Sequence, residues 1–140
     1  MEEEVSVDMD GQWHSATAPN WLTTLGVSTC IAVAIADNEN QMAWLIHSPT
    51  FGHETKPLEL MFAEAASKRP SGAGLNIWVF GGVAADADCE DEAILAQEAV
   101  ESLVSRSLPE ADVCYRWRES GNVQVIFRNK VWRCTFDEML

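Results

Sequence analysis

The sequence predicts an α+β fold, a largely antiparallel β-sheet or sandwich covered by two helices, in the order β-β-α-β-α-β-β-β. Three observations predict it. Val27 to Ala36 is an apolar run rich in β-branched residues, two later segments repeat apolar residues at helical spacing, and three stretches after Pro109 alternate apolar with polar residues. The chain has 140 residues, 47% of them hydrophobic, with six Trp and five Phe. That suffices for one core, which at this size buries roughly 70% of the unfolded surface.

Residues 1–20 carry acids, Ser, Thr, Gly11 and Pro19 with no apolar period. They read as a loose arm with Trp13 as its anchor, leaving 21–140 as a single domain. In the first strand, Val27, Thr29, Ile31, Val33 and Ile35 mark one face and Ala32, Ala34 and Ala36 the other, the pattern of a strand buried on both sides. Asp37-Asn38-Glu39-Asn40 is a turn signal and Met42 to His47 a second strand, so the two form a β-hairpin ended by Pro49 and Gly52. Thr55 to Arg69 predicts a helix, with Thr55 as N-cap, Pro57 in the first turn, and Leu58, Met61, Phe62, Ala65 and Ala66 on one stripe. Pro70 and Gly72 stop it. Leu75 to Phe80 is a third strand closed by Gly81-Gly82. The acidic run Asp86 to Glu92 suits a helix N-terminus and leads into Ala96, Ala99, Val100, Leu103 and Val104 at helical spacing. Val113/Tyr115/Trp117, Val123/Val125/Phe127 and Trp132/Cys134/Phe136 predict three antiparallel strands.

A net charge of −13 argues against nucleic acid and anionic membrane surfaces, which are held by clustered Lys and Arg. Residues 1–112 hold 19 acidic and 4 basic side chains, residues 113–140 only 3 acidic and 5 basic. The acidic part suits a basic protein partner, or serves solubility alone. The longest apolar run ends at Asp37, far short of the ~20 residues of a membrane span. The start Met1-Glu2-Glu3-Glu4 is unlike a secretory leader. Cys30, Cys89, Cys114 and Cys134 include no C-x-x-C pair. Reduced thiols in a cytoplasm, with no cofactor and no membrane insertion, are therefore expected.

The first hairpin brings a thiol near an imidazole. A two-residue loop at Asn38-Glu39 sets Cys30 opposite His47, with Cβ atoms about 4.5–5.5 Å apart. A four-residue loop pairing Asp37 with Met42 sets His47 diagonal to Cys30 on the same face, and a three-residue loop puts it on the other face. A free thiol is mostly protonated at neutral pH, and a neighbouring imidazole that stabilises the thiolate as an ion pair lets it attack an amide carbon. The structural alternative is a buried core Cys beside a core His.

The segment Thr24-Leu25-Gly26-Val27-Ser28-Thr29-Cys30-Ile31-Ala32-Val33-Ala34-Ile35-Ala36-Asp37 resembles the T…GLGSCVAV…L-x-D segment of the bacterial chemoreceptor glutamine deamidases, the CheD family. His47 follows at the family's Cys-to-His interval, and Val79-Phe80-Gly81-Gly82-Val83 is similar to its F-G-G-A strand end. The likeness runs from about Thr24 to Phe136. It implies a cysteine hydrolase fold shared with toxin deamidases, and a protein substrate whose glutamine becomes glutamate in a setting such as chemotaxis. It also implies Cys30 as nucleophile, His47 as general base and acid, Thr24 as the residue that orients the imidazole, and an oxyanion hole from backbone N–H groups around Ser28 to Cys30. The sequence departs from the family in Ser28-Thr29, where the family has Gly-Ser, and in Ser48-Pro49-Thr50 after the histidine. The rival reading is a binding module of the same fold that docks to a signalling partner.

Other candidates read as structural. Cys89 lies among acids that disfavour a thiolate, Cys134 shares a face with Trp132 and Phe136, and Cys114 alternates with Val113 and Tyr115. His14 falls in the arm. A metal site from His47, His53 and Glu54 lacks the H-E-x-x-H pattern. Arg116, Arg118, Arg128, Lys130 and Arg133 read as a solvated strand face.

Overall fold

The computed structural model describes residues 2–48 and 55–138, the last by its backbone only. Among the described residues nine strands form two mixed sheets with two α-helices, an α+β fold. The strands are β1 (Glu4–Ser6), β2 (Trp13–Thr17), β3 (Trp21–Val27), β4 (Ile31–Asp37), β5 (Met42–Ser48), β6 (Leu75–Gly81), β7 (Asp112–Trp117), β8 (Gly121–Arg128) and β9 (Val131–Glu138), and the helices are α1 (Lys56–Lys68) and α2 (Glu90–Ser107). A four-stranded sheet runs β1-β3-β8-β9 and a five-stranded sheet β2-β5-β4-β6-β7.

Three layers follow from β4, all of whose residues are buried. Its Ile31, Val33 and Ile35 pack with Trp44, Ile46 and Val79 under Met61 and Phe62 of α1 and Val100, Leu103 and Val104 of α2. Ala32, Ala34 and Ala36 point the other way, packing with Leu45 of β5 against Leu22, Val123, Val125 and Trp132 of the smaller sheet. The large face carries helices and the alanine face admits a second sheet at close range. At roughly 1.5–3 kcal/mol for each large apolar side chain buried, these two clusters supply most of the driving force for folding.

The expected hairpin is present with Asp37 paired to Met42 and Ala32 to His47, the four-residue loop of the alternatives, with Gln41 at φ +57°. The first strand begins only at Ile31, as β4; Ser28–Cys30 is a link, and Val27 ends β3, a strand the pattern did not predict. Residues 1–20 are not a loose arm: β1 pairs parallel with β3, β2 pairs antiparallel with β5, and Val7 and Ala16 are buried. As edge strands, β1 buries none of its residues and β2 only Ala16, so no apolar period shows. The strand at Asp112–Trp117 is likewise not antiparallel to its successors. It pairs parallel with β6, and α2 provides the crossover that parallel neighbours need. Only β8 and β9 form the expected antiparallel pair.

Of the basic C-terminal residues, Arg118, Arg128, Lys130 and Arg133 are exposed as expected and Arg116 is half-buried. Arg116 is held by Glu119 at 2.6 Å and lies over the rings of Phe80 and Phe136, and Arg118 pairs with Glu90. Cys134 packs partly buried on the inter-sheet core, where burial pushes its thiol far up. No helix among the described residues is long and apolar enough to cross a membrane.

Candidate active site

The site lies where the two sheets meet at the end of β5. Alternation along β5 sends Ala43, Leu45 and His47 toward the smaller sheet, and His47 is the last of these, fully buried. On β3, Leu22 and Thr24 face back across the gap. Thr24 is 1% exposed, and its Oγ1 lies 2.8 Å from His47 Nδ1. The same hydroxyl donates to the Val7 carbonyl at 2.7 Å.

That second bond fixes the imidazole. A hydroxyl has one proton, and Thr24 spends it on Val7, so toward His47 it acts as acceptor. Nδ1 must therefore carry the hydrogen. The lone pair is left on Nε2, a buried atom with no hydrogen-bond partner. An oriented imidazole with a bare Nε2 is the form a general base requires.

Cys30 sits in the three-residue link between β3 and β4. β3 loses register against β8 between Thr24 and Val27, and Gly26 at φ +72° gives its N–H to Asn122 Oδ1 at 3.0 Å. The chain then turns into a link held from below: Val83 N–H donates to the Ser28 carbonyl at 3.0 Å and Gly82 N–H to the Cys30 carbonyl at 2.9 Å. Gly81, at φ +96°, is where the backbones come closest. A Cβ there would overlap the Cys30 carbonyl oxygen and lie 2.8 Å from Val27 Cγ1. The Gly81-Gly82 pair thus sets the height of Cys30 as well as ending β6.

Cys30 lies two residues before Ala32, the residue opposite His47, which places the thiol and the imidazole at the same end of the hairpin. They are not hydrogen-bonded to each other. The Cys30 thiol, 6% exposed, donates instead to the Met9 thioether at 3.2 Å. Burial pushes the Cys30 thiol up, against a smaller opposing hydrogen bond from the Thr29 side chain, and burial pushes the His47 imidazole down. Both effects favour neutral forms, so the resting state is a neutral thiol beside a neutral imidazole where sequence analysis expected an ion pair.

Of the three predicted residues, the fold joins Thr24 to His47 directly and holds Cys30 at the same end of the β4–β5 hairpin, hydrogen-bonded to Met9 and not to them. Two contributors were missed, the Val7 carbonyl and Met9; both reach the site through space from a segment with no sequence signal. His14 lies exposed on β2, and His53 and Glu54 lie outside the described residues. Among the described residues no three His, Cys, Asp or Glu side chains converge as metal ligands.

No family model and no curated protein matches the chain. Among solved structures it is similar to the Neisseria meningitidis protein NMB0706, of the family-model DUF152. The two are 14% identical, with a TM-score of 0.46 over 81% of this chain and 58% of the other. The chain thus spans less than two thirds of that protein's length.

Proposed function

We propose that the protein is a cysteine hydrolase that deamidates glutamine side chains in a protein substrate. The observation that carries this reading is the relay Val7 C=O, Thr24 O–H, His47 Nδ1–H, which leaves a buried Nε2 without a partner among the described residues, at the end of the hairpin where Cys30 lies. A core histidine kept only for packing gains nothing from an unsatisfied nitrogen, which costs about 1–3 kcal/mol. The motif resemblance around Thr24, Cys30 and His47 supports the same roles.

In the reaction, His47 Nε2 takes the thiol proton as Sγ bonds to the amide carbon, and the carbonyl oxygen becomes an oxyanion. The Ser28 carbonyl points to Val83, so the N–H of Thr29, antiparallel to it across the trans peptide, points away from that loop and is the candidate oxyanion donor. The tetrahedral species collapses as His47 returns the proton to the departing nitrogen, which leaves as ammonia. Water, deprotonated by His47, then hydrolyses the thioester to glutamate and regenerates the thiol.

The raised Cys30 thiol and its engagement with Met9 favour the rival reading, a binding module of the same shape. Ammonia release and glutamate formation on a pool of glutamine-bearing basic polypeptides, compared between the parent and Cys30→Ala, separate the two. The deamidase reading predicts turnover lost in the variant; equal rates sink it.

A further inference from the structure

Cys30 is covered by its own chain. Residues Val7 to Gln12 cross the site between two sets of backbone anchors. At one end Val7 N–H donates to the Thr23 carbonyl at 2.8 Å, and the Val7 carbonyl accepts from Thr24. At the other end Gly11 N–H donates to the His47 carbonyl at 3.1 Å. Both anchors grip the strands that carry the relay. Between them Asp8, Met9 and Asp10 are exposed, and the recorded polar contact within this stretch is local, Gln12 N–H to Asp10 Oδ1 at 2.9 Å.

Met9 is the link between this stretch and the nucleophile. Met9 is 56% exposed while Cys30, whose thiol it contacts, is 6% exposed, so the cover itself stands largely in solvent. The contact acts twice. It sets the Met9 side chain against Sγ, and it engages the thiol hydrogen while His47 Nε2 has no partner among the described residues. Few contacts hold the middle of the segment, and Gly11 at φ +75° offers a pivot beside the far anchor.

We propose that Val7–Gln12 is an autoinhibitory cap, in which Met9 keeps Cys30 from both substrate and base, and that displacement of the Asp8–Asp10 stretch is the step that opens the site. The anchors at Val7 and Gly11 stay in place, so the relay through Thr24 survives opening. As a regulator of catalysis the cap rests on the deamidase reading; as a cover over the thiol it does not.

The test is the rate at which iodoacetamide labels each cysteine of the folded chain, located by peptide mass spectrometry, in the parent, Met9→Ala and the double variant Met9→Ala with His47→Ala. Exposed Cys114 is the internal reference and Cys134, in the inter-sheet core, reports global loosening. Met9→Ala should raise Cys30 labelling at least about tenfold relative to Cys114, the scale of losing one local closing contact, with Cys134 unchanged. A Cys30 rate equal to the parent's overturns the cap, as does a parallel rise at Cys134. If the acceleration persists undiminished in the double variant, the cap stands and the Cys30–His47 pairing behind the deamidase reading fails.

Discussion

Gly81→Ala probes the contact that sets the position of Cys30. The backbone at Gly81 has φ +96°, and an added Cβ would overlap the Cys30 carbonyl oxygen and press on Val27 Cγ1 at 2.8 Å. Holding a non-glycine residue in so sparsely populated a conformation costs about 1–3 kcal/mol. Overpacking a close contact adds about 1–3 kcal/mol more, because both neighbours here are buried and neither is the end of a flexible side chain. The sum centres near 4 kcal/mol, which for a chain of this size lowers the melting temperature on the order of 10 °C. Urea unfolding of parent and variant measures the free energy, and the labelling rate of Cys30 reports displacement of the nucleophile. A destabilisation under about 1 kcal/mol with unchanged Cys30 reactivity would refute the claim that close approach at Gly81 positions the thiol.

Thr24→Val keeps the shape but removes the acceptor for His47 Nδ1–H and the donor to Val7, leaving two buried polar groups unpaired at about 1–3 kcal/mol each. Nitrogen NMR should show the imidazole proton redistributing toward Nε2, with Thr24→Ser restoring the parent tautomer; an unchanged tautomer in Thr24→Val would remove the relay from the account. His47 also makes stability depend on pH. Its folded pKa lies below the unfolded value near 6.5, so the unfolded chain binds the proton first. Stability is then full above about pH 6.5 and falls by up to about 1.4 kcal/mol per pH unit below it, until the folded imidazole is protonated too. Asp37, whose own burial would raise its carboxyl but whose bonds from Asn40 and Arg69 hold it down, loses stability only at lower pH, as the carboxylate range is entered. His47→Gln should therefore flatten the decline just below pH 6.5 in thermal unfolding and leave the more acidic limb; an unchanged profile would mean the imidazole is not held neutral by burial.

Much of the fold was legible because β4, β5, β6 and both helices bury unmistakable patterns. The all-buried Ile31–Asp37 needed two covering layers, and its alanine face marked the closer one. The rest failed for physical reasons. Thr23 and Thr24 are polar yet buried in β3, and the irregularity after Thr24 breaks alternation, so β3 showed no strand pattern before Val27. Alternation at Val113, Tyr115 and Trp117 tells that a strand exists but not which way its partner runs; the helix before it was the missed sign of a parallel crossover. At the site, the four-residue loop that sets His47 opposite Ala32, two residues from Cys30, was among the alternatives of the hairpin arithmetic. Thr24 was reached by resemblance alone, since its partner lies on the other sheet. The neutral state of the pair could not be read from residue spacing, because desolvation depends on what covers the site, and Val7 and Met9 come from a segment whose pattern looked like a free arm.

The central claim is that Cys30 and His47 act together on a glutamine side chain. The most direct measurement is covalent capture with a peptide in which a chloroketone replaces the glutamine amide, applied to the parent, Met9→Ala, His47→Ala and Cys30→Ala and mapped by mass spectrometry. The account predicts saturable labelling of Cys30, faster in Met9→Ala, strongly reduced in His47→Ala, and outpacing exposed Cys114. Labelling that falls on Cys114 ahead of Cys30 in Met9→Ala, or is indifferent to His47, would contradict it.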